Sequence, residues 1–411
     1  MNRNDALALD AADPLAALRE QFTLPPGVIY LDGNSLGVLP KATAARLQQV
    51  VTQEWGVDLI RSWNSAGWIT LPQRIGDKIA RLVGAGAGEL VVADSTSVNL
   101  FKVLSAALSI TRADAPQRKT IVSERSNFPT DLYIAEAVAK ERGFELVLVE
   151  PDEILSKLDA RCAVLMLTHV NYRSGRMHDM AALTAAAHAA GVLTVWDLAH
   201  SAGAVPVDLH AAKADFAIGC GYKYLNGGPG APAFVWAHPQ HADRFWQPLA
   251  GWMGHAAPFE FTPGYRPAAG ISRYLCGTPA MLSLAALECG VDTVLATDMQ
   301  ALRAKSLALT RLFAELVEIR CPGLTLVSPR DDALRGSQVC FAHPEIAYPV
   351  VQALIARGVI GDFRAPDILR FGFTPLYVRY VDVFDAAEHL HAVLESGEWR
   401  RPEFNQRNAV T

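Results

Sequence analysis

Short runs of apolar, often β-branched residues alternate with segments of helical pattern between about residues 90 and 240. The apolar runs cover residues 121–124, 145–150, 162–170, 192–197 and 215–220. Helical patterns cover residues 130–142 and 179–190, and Gly191 stands where a glycine commonly ends a helix. Runs that are apolar throughout and joined by helices are typical of buried parallel strands. The alternation therefore predicts an α/β fold with a mostly parallel sheet and helices on both faces.

The pattern changes after about residue 280. A long helical stretch over 281–320, interrupted near Thr297 and Asp298, precedes strand-like segments at 324–328, 337–342 and 368–373. Further helices are predicted at 347–357 and 383–395. A chain of 411 residues is long enough for two or three domains. We predict a large domain over 41–280, a smaller α+β C-terminal domain over 281–411, and an N-terminal segment, 1–40, that packs with the small domain.

Composition narrows the class of protein. The formal net charge is −5, which disfavours a nucleic-acid binder, because such proteins usually carry a basic face. The N-terminus is polar and acidic, without the apolar core of a signal peptide, and no apolar stretch is long enough to cross a bilayer. The six cysteines form no CxxC pair and are interpreted as buried reduced thiols. We expect a cytoplasmic enzyme that acts on a small molecule, with neither nucleic acid nor membrane as partner.

Polar residues that follow the apolar runs are the first candidates for a site, because ligands of such sheets bind outside the carboxyl ends of the strands. The run 192–197 ends in Asp197, and a buried carboxylate there needs a partner. Asp197 could alternatively cap the next helix through backbone N–H groups. The residue pattern alone leaves both interpretations open.

Lys223 follows the run 215–220 and lies between Tyr222 and Tyr224, before a glycine-rich turn. The ordinary interpretation is a surface lysine beside a loop. A lysine desolvated by aromatic rings is instead a usable amine, which forms Schiff bases with carbonyl compounds such as pyridoxal phosphate (PLP). Asp197 could then pair with the pyridinium nitrogen of PLP.

A phosphate needs backbone N–H groups at a helix N-terminus, together with hydroxyl groups. Residues 94–104 offer both, because Ser95, Thr96 and Ser97 separate a predicted strand from a helical pattern. The alternative interpretation is an ordinary helix N-cap. The junction supports a PLP site only in combination with Asp197 and Lys223.

Five short segments resemble one family. They are YLDGNSLG (30–37), SNFPTD (126–131), NYRSG (171–175), DLAH (197–200) and GYKYLN (221–226). In this order, over most of the chain, they resemble the kynureninase branch of the fold-type I PLP enzymes. The resemblance implies hydrolysis of L-kynurenine or 3-hydroxykynurenine to anthranilate or 3-hydroxyanthranilate and L-alanine, in tryptophan catabolism and on the way to NAD biosynthesis. It leaves the preference between the two substrates open.

The resemblance also implies roles for individual residues. Lys223 would carry PLP, Asp197 would hold the ring nitrogen, and Phe128 would stack on the ring, although Phe128 alone could simply be core. Tyr222 would lie near the phosphate and protonate the alanine-forming carbon after Lys223 has removed the Cα proton. The other implied cofactor-binding residues are Thr96, Ser97, Pro129, Thr130, Asp131, Thr168 and His200.

Further implied residues concern the substrate and a second subunit. Trp252 and Thr278 would reach the phosphate of a neighbouring subunit, so that a homodimer would hold cofactor sites at its interface. Arg370 would clamp the substrate carboxylate through its planar fork, although it could also form a surface ion pair. Trp63, preferred to Trp68, would form a wall for the aromatic ring, and Ser35 would contact the substrate.

Three alternative functions remain open from the sequence. A cysteine desulfurase-like lyase needs a reactive cysteine on a mobile loop, for which Cys321 and Cys340 are candidates in the relevant part of the chain. An aminotransferase would depend on an α-keto acid. A non-catalytic PLP-fold protein would have no need of Lys223. No metal site is predicted, because His169, His178 and His188 are too widely spaced for a local cluster.

Overall fold

The computed structural model describes residues 1–407. Its strands are short, and most lie where apolar runs predict them. In chain order they are β1 (Ile29–Tyr30), β2 (Leu90–Val92), β3 (Thr120–Glu124), β4 (Glu145–Val149), β5 (Cys162–Thr168), β6 (Leu193–Asp197), β7 (Phe216–Gly219), β8 (Phe234–Ala237), β9 (Thr325–Leu326), β10 (Gln338–Ala342), β11 (Val359–Ile360), β12 (Asp362–Arg364) and β13 (Ile368–Gly372).

Helices connect most of these strands. The α-helices are α1 (Arg3–Ala11), α2 (Lys41–Gln49), α3 (Ser62–Ser65), α4 (Leu71–Val83), α5 (Thr96–Asp114), α6 (Pro129–Arg142), α7 (Met180–Ala189), α8 (Pro239–Ala242), α9 (Met281–Leu295), α10 (Met299–Arg320), α11 (Ala347–Ala356) and α12 (Tyr380–Ser396). Local signals explain several ends. Asp179 accepts a hydrogen bond from the backbone N–H of Ala182 at the start of α7, and Gly191 follows its end with φ of 71°. No helix within residues 1–407 is long and apolar enough to cross a membrane.

The central sheet has seven strands in the order β2-β8-β7-β6-β5-β3-β4. Only β8 runs against its neighbours, so the sheet is mostly parallel, as predicted. Alternate residues of β5 belong to two separate buried clusters: Leu165 and Leu167 pack on one face, and Val164 and Met166 on the other. Both faces are therefore covered, which explains why the run 162–170 is apolar throughout.

The C-terminal part has the predicted α+β character. An antiparallel sheet in the order β12-β13-β10-β9 packs with α10 and α11, and α12 packs against both of these helices. The predicted break in the long helical stretch is confirmed, because α9 ends at Leu295 and the Asp298 side chain accepts hydrogen bonds from the first N–H groups of α10. The predicted strand at 324–328 shortens to two residues in β9.

The N-terminal segment contacts the C-terminal part at several points. Strand β1 pairs with β11, and the Asp10 carboxylate accepts hydrogen bonds from the backbone N–H groups of Tyr380 and Val381 at 2.6 and 3.0 Å. Helix α9 packs against α4 and α2, and Lys78 Nζ lies 2.7 Å from Asp292 Oδ1. The division at residues 40 and 280 stays a prediction.

Candidate active site

A cavity of about 340 Å³ lies at the carboxyl end of the central parallel strands. Strands β5, β6 and β7 all end beside it, and the helices α5 and α6 begin there, so five chain segments far apart in sequence meet. Ten of the predicted site residues line it: Thr96, Ser97, Phe128, Thr130, Asp131, Thr168, Asp197, His200, Tyr222 and Lys223. The sequence prediction therefore identified most of one coherent pocket.

Lys223 is half-buried in the turn that follows β7. Its Nζ lies 2.9 Å from His200 Nε2 and 5.7 Å from the centre of the Tyr222 ring. The flanking Tyr224 is buried, and its hydroxyl donates to the backbone carbonyl of Ser337 at 3.0 Å, which anchors the turn to the C-terminal part. Burial raises the pKa of Tyr222, so its hydroxyl is protonated at neutral pH. The lysine is an enclosed amine rather than a surface group.

Asp197 and Asp131 form a buried carboxylate pair opposite the lysine. Burial, followed by the charge of Asp197 and a hydrogen bond to it, raises the pKa of Asp131. Burial also raises the pKa of Asp197, and the nearby Lys223 works against that change. Asp197 Oδ1 accepts a hydrogen bond from the backbone N–H of Ala199 at 2.7 Å, but a turn rather than a helix follows. Helix capping therefore does not explain this carboxylate, and the pair is poised to accept a cationic N–H.

Helix α5 points its N-terminus at the cavity. Ser95 is the N-cap, and its hydroxyl accepts from the backbone N–H of Val98. The interpretation of this junction as a helix N-cap is therefore correct. The N–H groups of Thr96 and Ser97 belong to the first turn, which has no partners within the helix, and both residues line the cavity. The capped helix start is therefore also an anion site.

Two residues that the sequence analysis missed hold this helix start in place. Asp94 precedes the cap with φ of 50°, an uncommon conformation for a side chain other than glycine. The Lys102 side chain, fully buried within α5, forms an ion pair with Asp94 and donates to the backbone carbonyl of Tyr274 at 2.5 Å. A lysine inside an apolar helical face is the one sequence signal that could have revealed this link.

Phe128 lies at the cavity with a ring that is 41% exposed, so the core interpretation is wrong. Its ring meets that of Tyr172 edge-on, with centroids 5.2 Å apart. Pro129 begins α6 directly after it, at a position where proline suits a helix start. Thr168, at the end of β5, donates a hydrogen bond to Asn127 Oδ1 and so links β5 to the Phe128 turn.

Arg370 is 1% exposed and lies in β13, so the surface ion-pair interpretation is wrong. Its Nε and Nη2 donate to the two carboxylate oxygens of Asp362 at 3.0 and 2.6 Å. Nη2 also donates to Ser35 Oγ at 2.6 Å, and Nη1 to the backbone carbonyl of Tyr172 at 2.8 Å. The predicted pair Arg370 and Ser35 is therefore brought together, close to the cavity residue Tyr172. Asp362, which no local signal marked, occupies one edge of the guanidinium.

Three predicted residues lie away from the lysine of their own chain. Trp63 packs edge-on against Trp252, with ring centroids 5.9 Å apart, and Trp252 in turn packs against Phe259 at 5.8 Å. Thr278 is exposed and lines a neighbouring cavity that shares Asp94 and Gly230 with the first.

Neither of the two candidate cysteines is a mobile nucleophile. Cys321 and Cys340 are buried, and burial raises the pKa of the former to about 12 and of the latter to about 11, so both are poor thiolates at neutral pH. Within residues 1–407, no group of three or more His, Cys, Asp or Glu side chains could hold a metal ion. His169, His178 and His188 instead bond Ser201, Glu124 and Asp215, respectively.

Comparisons with known proteins agree with this site. The kynureninase C-terminal domain family matches residues 302–390. The kynureninase of Pseudomonas fluorescens is 60% identical over 414 aligned positions, which cover 100% of this chain and 99% of that relative. A kynureninase of Burkholderia pseudomallei is 59% identical with the same coverage.

Solved structures extend the likeness at the level of the fold. The apo form of a cysteine desulfurase from Thermococcus onnurineus NA1 matches with a TM-score of 0.79 and 18% identity, covering 92% of this chain and 98% of that one. A C-DES mutant with glycine covalently linked to its PLP cofactor matches with a TM-score of 0.78 and 15% identity, covering 90% and 98%. These distant matches indicate a shared architecture and not a shared reaction. The full-length likeness at 60% identity is decisive, and the chain belongs to the kynureninase family.

Proposed function

We propose that this protein is a PLP-dependent hydrolase that converts L-kynurenine, or its 3-hydroxy form, and water to anthranilate, or 3-hydroxyanthranilate, and L-alanine. The reaction cleaves the Cβ–Cγ bond, and it belongs to tryptophan catabolism, which feeds NAD biosynthesis. One observation carries the proposal: Lys223, the Asp131–Asp197 pair and the N-terminus of α5 face one cavity in a chain that is 60% identical to a kynureninase over its full length.

The residues present fit PLP at both ends of that cofactor. The N–H groups and hydroxyls of Thr96 and Ser97 suit its phosphate, since a helix start carries a partial positive charge. The buried carboxylate pair suits its ring nitrogen, because a pyridinium N–H would relieve the desolvation that raises the pKa of Asp197. Phe128 offers a partly exposed aromatic face between these ends.

PLP supplies an electron sink for the charge that develops on the substrate carbon next to the amino group. Lys223 is the residue placed to carry the cofactor and then to take the proton from that carbon on its Nζ atom. Asp197, as a carboxylate, would hold the proton on the ring nitrogen, which would keep the sink effective. Asp131 shares a proton with Asp197 and thereby adjusts how much negative charge that carboxylate offers.

Tyr222 is the candidate proton donor to the carbon that becomes the methyl group of alanine. Burial raises the pKa of its hydroxyl, which keeps the proton available for transfer at neutral pH. Water provides the remaining atoms: its oxygen joins the carbonyl carbon of the aromatic product, and its protons balance the cleaved bond and the released acid.

Arg370 and Ser35 are the candidate ligands of the substrate carboxylate. Arg370 Nη2 donates its two hydrogens to Asp362 Oδ2 and Ser35 Oγ, and Ser35 Oγ donates to Asp362 Oδ2, so a substrate carboxylate would have to replace one of these partners or accept from the remaining N–H of Nη1. Asp362 holds the Nε edge of the guanidinium and thus fixes the direction of the fork. The arginine would recognise the carboxylate without swinging, which reduces the entropy lost on binding.

A homodimer with the cofactor site at the interface is part of the proposal. Trp252, Phe259 and Phe261 form a cluster whose phenylalanine rings are 62% and 75% exposed, and such large apolar surface usually marks an interface. Trp63 packs on this cluster. Thr278, which follows the cluster in the sequence, is also exposed. A partner subunit would bring these groups to a cofactor phosphate and to the substrate ring.

Complementation tests the shared site. Lys223→Ala and Trp252→Ala chains, each inactive as homodimers, are unfolded together, mixed and refolded. If Trp252 serves the partner's site, the heterodimer has one intact site and activity returns to about one site in four. Activity that stays absent from a correctly refolded mixture contradicts the shared site.

A cytoplasmic location, which the absence of disulfides among the six cysteines supports, is tested separately by cell fractionation.

The reaction is tested by mixing purified protein, PLP and L-kynurenine and following anthranilate fluorescence, with Lys223→Ala as the control. Anthranilate from the natural chain and none from the variant support reaction class and lysine together. A yellow, cofactor-loaded protein that releases no anthranilate would overturn the proposed substrate. Parallel assays with 3-hydroxykynurenine and with cysteine, followed by sulfide release, then separate the remaining substrates.

A further inference from the structure

The side chain of Gln338, in β10 of the C-terminal part, reaches the active-site histidine from 138 residues away in sequence. Gln338 is fully buried, and its amide nitrogen faces only acceptors. Nε2 donates to the backbone carbonyl of Tyr172 at 3.0 Å, and it lies 3.4 Å from that of Asn171 and 3.6 Å from Cys340 Sγ. This surrounding determines which way the amide points, because the reversed amide would place its oxygen against two carbonyl oxygens.

The amide oxygen of Gln338 consequently faces His200 Nδ1, at 3.1 Å. An amide oxygen is only an acceptor, so Nδ1 must carry a hydrogen. His200 is buried, and burial, followed by the charges of Lys223 and Arg370, holds its pKa well below the usual range. The ring is therefore neutral and carries a single N–H. Its other nitrogen, Nε2, has a free lone pair, which lies 2.9 Å from Lys223 Nζ.

We propose that Gln338 is a positioning residue: it holds His200 in the Nδ1–H tautomer, so that His200 Nε2 accepts a hydrogen bond from Lys223 Nζ. The inference rests on the proposed function only in assigning the cofactor to Lys223. The bond aims the free amine along one direction before it meets the cofactor. It also gives the lysine an acceptor whenever its amine has taken up a proton from the substrate.

Other charged groups around this pair do not supply the same bond. Asp197 and Asp131 face Lys223 from β6 and α6, and Arg370 and Arg364 face His200 from β13 and β12. On the turn itself, Cys220 and Tyr222 have raised pKa values, chiefly through burial, and stay neutral. These groups contribute to the electrostatic potential around Lys223 and His200. Among the hydrogen bonds of the described residues, Gln338 alone accepts from His200 Nδ1.

The tautomer is measurable without any substitution in the tested protein. Apoenzyme labelled with ¹⁵N-histidine is examined by NMR, and the His200 signals are assigned by their loss in His200→Gln. We expect the Nδ1 nitrogen to show the protonated shift and Nε2 the unprotonated one throughout neutral pH. An Nε2–H tautomer, or an imidazolium, would overturn the proposal.

Two substitutions test what the bond does to Lys223. Gln338→Met keeps the volume and removes the acceptor, whereas Gln338→Glu keeps the acceptor oxygen and loses the amide N–H. The apoenzymes are treated with an amine-acylating reagent over a range of pH, and labelling of the Lys223 peptide is quantified by mass spectrometry. Without the acceptor, His200 can adopt the Nε2–H tautomer, which disfavours the ammonium form. We expect the pH of half-maximal labelling to fall by about one unit in Gln338→Met.

Gln338→Glu should leave that midpoint unchanged or raise it, because the acceptor and a negative charge remain. If Gln338 were only structural, Gln338→Glu would perturb the protein more than Gln338→Met, because a buried carboxylate beside two carbonyl groups is less well tolerated than methionine. Equal midpoints in all three proteins would therefore refute the proposed role of Gln338. Neither measurement uses kynurenine, so a failed substrate assignment and a failed positioning role are distinguishable.

Discussion

The central sheet carries a buried carboxylate at each end of its parallel strands, the amino edge and the carboxyl edge. The two carboxylates differ in how fully they are hydrogen-bonded. At the amino edge, Asp215 precedes β7 and is fully bonded: His188 and His241 each approach to 2.8 Å, and the Thr194 N–H and hydroxyl donate at 2.8 and 3.0 Å. At the carboxyl edge, Asp197 ends β6, where it accepts from the backbone N–H of Ala199 at 2.7 Å and lies beside Asp131, Thr168 and the half-buried Lys223. The two groups lie on neighbouring strands with similar burial.

The pKa of Asp215 is lowered and that of Asp197 is raised. This difference distinguishes a structural carboxylate from a candidate ligand-binding one. Burial acts to raise the pKa of Asp215, but hydrogen bonds from His188 and His241 outweigh it and lower the pKa. For Asp197 the cost of burial prevails. A buried acid that its own chain leaves incompletely satisfied is a candidate ligand site, whereas a satisfied acid is structural. Four predictions test this contrast.

The largest expected effect is on catalysis at the carboxyl edge. Asp197→Asn should lower kcat for kynurenine hydrolysis by about a hundredfold to a thousandfold, because an amide cannot hold a proton on the cofactor nitrogen. The free energy of unfolding of the apoenzyme should not fall, since the folded state already disfavours this charge. Steady-state kinetics and urea unfolding check both parts. Asp215→Asn is the matched control at the other edge, and a normal kcat in Asp197→Asn would break the contrast.

Tyr222 sharpens the same point about the carboxyl edge. Tyr222→Phe should slow turnover by about a hundredfold, because the ring remains and only the proton donor is lost. The visible spectrum of the bound cofactor should persist, which separates a role in proton transfer from a role in cofactor binding. Unchanged turnover would remove Tyr222 from the reaction. Tyr265→Phe, which removes the hydroxyl from a tyrosine bonded to the Gly254 carbonyl, is a suitable control.

Asp215→Asn should show the structural counterpart. We expect a loss of about 2–3 kcal/mol in the free energy of unfolding, because His188 and His241 lose a charged partner, with kcat retained in the folded fraction. The sign with pH follows from the lowered pKa. The stability from Asp215 is present above its unfolded pKa of about 4, and it is lost as the pH falls below that value. Acid unfolding monitored by circular dichroism should therefore begin at higher pH in the variant.

The last expected effect concerns Asp32, beside Arg370. Burial, followed by the charge of Asp362, raises its pKa to about 7. A carboxyl with a raised folded pKa contributes stability that is full below about pH 4 and is lost as the pH rises through about 7. Asp32→Asn should flatten this decline, which amounts to at most about 4 kcal/mol for a folded pKa of about 7 against about 4 in the unfolded chain. Urea unfolding at several pH values measures it, with the exposed Asp152→Asn as the control, and an unaltered slope in Asp32→Asn would count against the raised pKa.

Most of the central sheet and its helices were predictable, because their signals are local. Strand β5 and helix α7 follow from an apolar run, an N-cap aspartate and a terminal glycine within about 30 residues. Strand β8 was missed, and so were the short strands β1, β11 and β12. Each of the three short strands has two or three residues and exists through pairing with a distant segment, as when Ile29 pairs with Val359. Such pairing leaves little periodicity to detect.

The candidate site divides in the same way. Asp197, Lys223 and the Thr96–Ser97 turn were predictable because strand ends and helix starts converge by topology. The family resemblance added Phe128, Arg370 and Ser35, which spacing alone would not have selected. Asp94, Lys102 and Asp362 were missed, because each matters through one partner that is unrelated in sequence position. The predicted roles of Trp63, Trp252 and Thr278 stay predictions that the complementation experiment tests.

The sequence by itself determined the local elements, the edge of the sheet that would carry chemistry, and the amine and acid that would perform it. Those properties depend on residue type, periodicity and chain order. Only the tertiary structure decided how completely each polar group is hydrogen-bonded: that Asp215 bonds two histidines while Asp197 does not, and that Gln338 selects one tautomer of His200. The hydrogen bonding of each polar group depends on atoms that the packing of distant segments brings within about 3 Å. A hydrogen bond is lost when that distance grows by about an ångström.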